Sequence, residues 1–323
     1  MTFWHRATAG MNIITFLRKR ILQALPVVFG ILAVVFLVVR MIPGDPARLM
    51  LGVHASDAKL AALRAQLGLD QPVWWQFTQF VGHAVQGELG TSLVFRRDVL
   101  EVILDRLPIT LSLVAFAVLL SVAISLPLAM LASMRQGRGA DFLVRSGATL
   151  TLAMPGFWLG LNLLILFAVI FPLFPVSGYG KGLGDRIWHL FLPALTIAFS
   201  LAPILTRTLR ASLIEIMSAP HVEFARTKGL PEWVLIRRHV LRNGLMATVT
   251  ILGVNIGWLI GGSVVVETVF TLPGIGALII SSVAARDFPM IQGIALIFGG
   301  MVVVINLVTD LIYAVLDPRV SYD

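Results

Sequence analysis

Six histidines and four lysines are the side chains of this 323-residue chain best suited to proton transfer, metal ligation or phosphate binding, and their spacing fits none of these tasks. His5, His54, His83, His189, His221 and His239 form no H-E-x-x-H and no near-neighbour pair that could share a zinc ion. None of Lys19, Lys59, Lys181 and Lys228 closes a G-x-x-x-x-G-K-[ST] loop, so no phosphate cradle is expected. The G-x-S-x-G elbow of a serine nucleophile is missing too. Zero cysteines remove thiolate zinc sites, iron–sulfur clusters, disulfides and cysteine nucleophiles together. No catalytic residue, no metal ligand and no bound cofactor is expected of this chain.

The remaining polar groups sit in or beside long apolar runs. The chain is 58% hydrophobic and 13% charged, with a mean hydropathy of +0.91. Soluble domains run about 45–50% apolar and about 25% charged. Six apolar stretches suit a bilayer crossing, which needs roughly 20 residues: 21–42, 109–134, 147–171, 190–206, 245–266 and 291–316, the fourth being the shortest and holding Pro193 and Pro203. An all-α polytopic membrane protein with six transmembrane helices follows. Few ionisable groups fall inside these spans: Arg40 and Glu267 lie at outer ends, and Asp310 near the inner end of the sixth. A proton-driven carrier shows mid-membrane carboxylates or histidines as relays, and here they are lacking. Asn162, Asn255 and Asn306 are the mid-span polar residues, read first as interhelical hydrogen-bonding groups and second as substrate contacts.

A net charge of +8 and a pI near 10.7 suggest nucleic acid until the charges are located. With both termini on one side, that side holds 15 Lys and Arg against seven acids, and the other side holds ten of each. The positive-inside rule then puts both termini in the cytoplasm. The basicity reports orientation, and no nucleic acid is expected. Residues 1–20 become a cytoplasmic segment, 21–42 the first span, 43–107 an outward-facing insertion, 108–316 the transmembrane core and 317–323 a cytoplasmic tail.

The 65-residue insertion is too long for a connector. Ser56 and Asp57 can cap a helix ended by Gly68, and Gln71-Pro72 starts a second one carrying Trp74, Trp75, Phe77 and Phe80. Those aromatics fit a core or an interfacial belt, with a docking surface as the other reading. Residues 99–107 are amphipathic and suit a segment lying along the membrane surface. The cytoplasmic loop 207–244 carries seven of the 15 inner cations. Within it Pro220 suits a helix N1 position and Gly229 a C′ position, with Glu223 and Lys228 matching the helix dipole. Ala225 and Gly229 share a face where another backbone could come close. Such a helix is either an amphipathic element snorkelling into headgroups or a compact lever for a soluble partner.

Glu223-Phe224-Ala225 followed by Gly229 resembles the E-A-A-x-x-x-G loop of ABC-importer permeases, with Phe224 in place of the first Ala. A-R-T-K-G-L (225–230) and R-H-V-L-R-N (238–243) are similar to the version found in dipeptide and oligopeptide permeases. In the family's order come I-P-G-D-P-A (42–47), L-G-L-D-Q-P (67–72), G-E-L-G (87–90) and G-S-V-V-V-E (262–267). F-T-L-P-G-I-G (270–276), R-D-F-P (286–289) with Gln292-Gly293, N-L-V-T-D (306–310) and Asp317-Pro-Arg319 complete the set. Glu88 stands where the family more often has Asp. The first ten residues fall outside the resemblance, and Met11 is an expected alternative start.

The resemblance implies a type I ABC importer permease of the dipeptide/oligopeptide/nickel group, with a tilt toward glutathione-type members. It implies a homologous second permease, two cytoplasmic ATPase subunits that hold ATP and magnesium, an extracytoplasmic solute-binding protein and a bacterial inner-membrane location. Carried over, the 220–231 segment becomes the coupling helix, with Pro220, Glu223, Phe224, Ala225, Arg226, Lys228, Gly229 and Leu230 meeting the ATPase. The fifth span and its neighbours become the translocation path, with Asn255, Trp258 and Asn306 as path residues. Di- and oligopeptides or glutathione are the expected cargo. A nickel-chelate permease and, in another class, an ATP-independent carrier or channel are the alternatives.

Overall fold

Continuous apolar runs leave the backbone no hydrogen-bonding partner but itself, and helices follow. The computed structural model describes residues 13–41, 48, 56–66 and 68–316. The helices are α1 (Ile13–Met41), α2 (Asp57–Gln66), α3 (Val73–Gln86), α4 (Val99–Met134), α5 (Gly139–Ala153) and α6 (Gly156–Leu164). Next come α7 (Leu183–Met217), α8 (Pro220–Thr227), α9 (Glu232–Leu235), α10 (Arg242–Val269), α11 (Ile275–Ala285) and α12 (Phe288–Leu316). Wider π-helical turns continue α6 over Ile165–Ile170 and lead into α10 over Ile236–Leu241. No strand occurs among the described residues, only an isolated antiparallel bridge between Thr91 and Asp98. The expected start at Met11, the 42–47 motif and the 317–323 tail lie outside them.

Among the described residues five stretches are long and apolar enough to cross a membrane: Arg18–Leu37, Val99–Met134, Leu183–Met217, Glu232–Val269 and Phe288–Leu311. The sixth is the pair Gly139–Ala153 and Gly156–Ile170, bent by 100°. Run 147–171 is therefore not one helix. Pro155 forces Met154 into an extended conformation (φ −87°, ψ 130°), and the chain turns there. Residues 99–107 are likewise no separate surface segment. They form the first turns of α4, which continues through Pro108 because Val102 and Ile103 are buried on one side of the proline and Leu113 on the other. The fourth run is short only in hydropathy. Its helix, α7, spans 35 residues and tolerates Pro193 and Pro203. Helix α11 is an addition the apolar runs did not reveal.

Two units divide the chain: Met1–Leu107 with Leu278–Val304, and Pro108–Ala277 with Ile305–Ser321. In the first, Phe77 of α3 meets Phe29 and Phe36 of α1 edge-on at 5.6 and 5.1 Å, and Phe80 lies 5.7 Å from Phe36. These two rings are half-buried against α1. Trp74 remains exposed. Gly68 turns the chain at φ +64°, where a Cβ would lie 2.6 Å from the Trp75 ring. Asp287 is fully buried at the start of α12. It accepts hydrogen bonds from the Ser92 hydroxyl and from the N–H groups of Leu93, Val94 and Met290. That carboxylate accounts for the R-D-F-P motif: it ties the 92–94 backbone to the foot of α12.

The second unit is built around α7, which packs on α5, α6 and α10. Leu113, Ala117, Leu201, Leu205, Leu259, Phe270 and Leu272 are among its core. Here Glu267, also fully buried, accepts the hydroxyl hydrogens of Thr110 (2.8 Å) and Ser263 (3.3 Å) and the Ala277 N–H (3.0 Å). Thr110 in turn accepts the Ile275 N–H at 2.9 Å. A carboxylate at the N-terminus of α11 satisfies amides that no helical carbonyl can reach. A Cβ on Gly276 would lie 2.6 Å from the Val264 Cα, so the G-I-G spacing lets α11 close onto α10.

Candidate functional site

The loop between α7 and α10 begins with a local rule. Ala219 is extended (φ −73°, ψ 142°), Pro220 takes the first helical position, and the N–H groups of Val222 and Glu223 return to the Ala219 carbonyl at 2.9 and 3.1 Å. Gly229 ends the helix at φ +75° with its N–H on the Arg226 carbonyl at 3.0 Å. Any side chain there costs about 1 kcal/mol of backbone strain. No atom lies within 4 Å of where its Cβ would be. Pro231 then starts α9.

Two faces of α8 separate cleanly. Val222 and Ala225 are buried against Ala129 of α4, Leu209 and Leu213 of α7, Leu235 and Val240. The close approach expected at Ala225 is thus made by the chain's own helices, leaving Gly229 as the open position. On the other face His221, Glu223, Phe224, Arg226, Lys228, Gly229 and Leu230 are exposed. Phe224 is 62% exposed although aromatic, with the Lys228 ammonium 4.6 Å from its ring centre. Trp233, 66% exposed, extends the same kind of surface. Sequence reasoning passed over it, although it is out of register with the buried Val222, Ala225, Leu235 and Val240. The Arg226–Glu232 pair at 3.6 Å is solvent-exposed and contributes little.

Asp141 braces the arm that carries α8. It is buried at the start of α5 and takes Arg210 of α7 through two bonds of 2.6 Å, with the Gly137 N–H on the same carboxylate at 3.0 Å. Asp141→Ala leaves a largely buried guanidinium without its partner, and about 3 kcal/mol of stability should be lost. A lowered thermal unfolding midpoint of the purified protein checks this. Asp141→Asn, which keeps one acceptor oxygen for Arg210, should lose less.

Further along α7 and α10 lies a groove of about 220 Å³, lined by Phe157, Thr196, Ser200, Trp258, Gly262 and Val265 among others. Of the expected path residues only Trp258, 63% exposed, lines it. Asn255 donates its amide to the Ile251 carbonyl of its own helix at 2.8 Å. Asn306 is exposed on α12. Asn162 donates to the Trp158 carbonyl at 2.7 Å. Thr196 and Ser200 supply the groove's hydroxyls, and neither stood out in the sequence because Thr and Ser in a span are unremarkable without the bend at Pro155. Among the described residues no cluster of three His, Cys, Asp or Glu could hold a metal ion.

Residues 125–322 match the family described as binding-protein-dependent transport system inner membrane component, and residues 13–114 match its N-terminal companion. The probable D,D-dipeptide transport system permease protein DdpB of Escherichia coli (strain K12) is 37% identical over 345 residues, covering 99% of this chain and 98% of that protein. The glutathione transport system permease protein GsiC of the same strain is 38% identical over 304 residues, covering 94% and 98%. Among solved structures, an inward-facing MetNI methionine ABC transporter superposes with a TM-score of 0.56 at 17% identity, covering 67% of this chain and 96% of that one. An amino acid ABC transporter superposes at 0.50 and 18% identity, covering 66% and 94%. These two likenesses speak for the fold alone.

Proposed function

The chain belongs to the binding-protein-dependent transport system inner membrane components, and on that premise we propose that it drives peptide or glutathione uptake through α8. It is a multi-pass inner-membrane permease of an ABC importer. In our reading it pairs with a homologous second permease and works with two ATPase subunits, which hold ATP and magnesium, and with an extracytoplasmic solute-binding protein. Both termini and the loop 207–244 are cytoplasmic, supported by the 15 cations gathered on that side. Insertion 43–107 faces outward. Dipeptides or glutathione are the proposed cargo, because DdpB and GsiC carry those words in their names.

One observation carries the mechanism: α8 is welded to the helix bundle by one face and bare on the other. Val222 and Ala225 sit among side chains of α4 and α7, so a push on Phe224 and its neighbours moves those helices as well. Helix α7 rises about 1.5 Å per residue, and its Thr196 and Ser200 line the groove opposite Trp258 of α10. Rocking of packed helices between discrete arrangements would open and close that groove. The ATPase subunits supply the energy, and this chain supplies the lever and one wall of the path.

Uptake into proteoliposomes containing both permeases tests the reading. Accumulation of peptide or glutathione should require the ATPase subunits, ATP and the binding protein together. Accumulation that persists without the ATPases would make the protein a carrier instead.

A further inference from the structure

Two glycines line the groove between α6, α7 and α10, and neither has a positive φ that would require glycine. Gly262 lies inside α10, where glycine weakens a helix relative to alanine. What it supplies there is room. A Cβ on Gly262 would stand 3.9 Å from the Trp258 ring, and one on Gly156 would stand 3.7 Å from the Ser200 hydroxyl. Larger side chains at either position would fill the space.

The lining left open is apolar, with one polar group to spare. Ile197, Leu259 and Val266 are its buried members, and Phe157, Trp258 and Val265 its exposed ones. None of the lining residues is ionisable. Thr196 donates its hydroxyl to the Leu192 carbonyl of its own helix at 2.9 Å. Ser200, one turn further along α7, makes no hydrogen bond through its hydroxyl among the described residues. A hydroxyl in the middle of a span is costly until it finds a partner. A lipid tail offers none, whereas a peptide carbonyl does.

Resting on the uptake reading above, we infer that this groove is a subsite for one uncharged, apolar side chain of a short peptide. Trp258 is its specificity-determining residue, and Ser200 donates to the adjoining peptide carbonyl. The volume of about 220 Å³ is below the roughly 300–1,000 Å³ of pockets that enclose whole small ligands. The groove therefore takes a side chain and not an entire peptide. A charged side chain would give up its hydration with no counter-ion to meet it. The permease thus adds a selection of its own to whatever a binding protein delivers. Peptides with a large apolar side chain are favoured over glutathione, which has none.

The whole importer in proteoliposomes tests this. Because the chain has no cysteine, Val265→Cys puts a single thiol of this chain in the groove. A water-soluble methanethiosulfonate should modify it, read from the mass of this chain. Alanyl-phenylalanine should slow that modification roughly tenfold or more relative to alanyl-glutamate at the same concentration. Adding Trp258→Ala should abolish the difference between the two dipeptides while the thiol stays reactive. Adding Ser200→Ala should weaken protection by alanyl-phenylalanine and keep the preference for it. A position-265 thiol that is unreactive in a working importer is covered by lipid or by the second permease, and overturns the inference. Equal protection by the two dipeptides overturns it as well. A wild-type importer without ATP-dependent uptake of peptide or glutathione refutes the transport reading itself, whereas uptake with a thiol that neither dipeptide protects refutes only the subsite.

Discussion

A Phe224→Asp permease is expected to insert, fold and pair normally, yet to support no uptake above that of vesicles lacking the transporter. Phe224 is mostly exposed and contributes no packing to the cluster that holds α8, so its replacement should change stability by no more than about 0.5 kcal/mol. Its exposure is the anomaly: an aromatic ring stands out from a helix whose other apolar residues, Val222 and Ala225, are buried. Truncating a central aromatic anchor costs 2 kcal/mol or more at many interfaces, about a thirtyfold loss of affinity. Asp adds the cost of an unpaired charge in a desolvated cleft. Co-purification of the ATPase subunits should fall accordingly, and uptake with it. Val222→Asp is no substitute for this test, because it would break the fold at a fully buried position. Trp233→Ala, further along the same surface, should show a smaller loss of the same kind.

The second large effect is expected at Glu267. Glu267→Ala removes the acceptor for the Thr110 and Ser263 hydroxyls and for the amides at the start of α11, all of them buried or partly buried. Each buried donor left unsatisfied costs about 1–3 kcal/mol, and the set should lose roughly 3 kcal/mol or more. Hydrogen exchange should accelerate first at the amides of 275–277, and the yield of monodisperse protein should drop. Glu267→Gln keeps an acceptor for the amides but gives up the charge at a helix N-terminus, so it should fall between Ala and wild type. Equal exchange at 275–277 in wild type and Glu267→Ala would mean that the carboxylate does not hold α11.

The apolar runs made the spanning helices legible, because hydropathy alone forces a helix inside a bilayer. Helix breaks were not legible in the same way. Pro26, Pro108, Pro127, Pro193 and Pro203 all lie inside helices, while Pro155 ends one and turns the chain by 100°. What separates them is packing, which a local rule cannot see: Pro193 and Pro203 are buried within α7. Helix α11 was hidden for a related reason. It has 11 residues, too few for a span, and its first turn depends on a carboxylate eight residues before it in the chain. Helix α8 was bounded correctly by Pro220 and Gly229, since cap chemistry is local. Which of its faces would be covered was not local, and Ala225 proved to face inward. The groove at Trp258 needed the bend at Pro155, so Thr196 and Ser200 could not be singled out from their types.

The central claim is that the bare face of α8 meets an ATPase subunit. The natural absence of cysteine allows a direct measurement: Phe224→Cys in the assembled complex, treated with a short thiol-reactive crosslinker, with Leu143→Cys on exposed α5 as the comparison. The account predicts a crosslink from position 224 to the ATPase subunit that changes in yield when ATP is bound. No crosslink from 224 in a complex that transports, or an equal yield from 143, would contradict it.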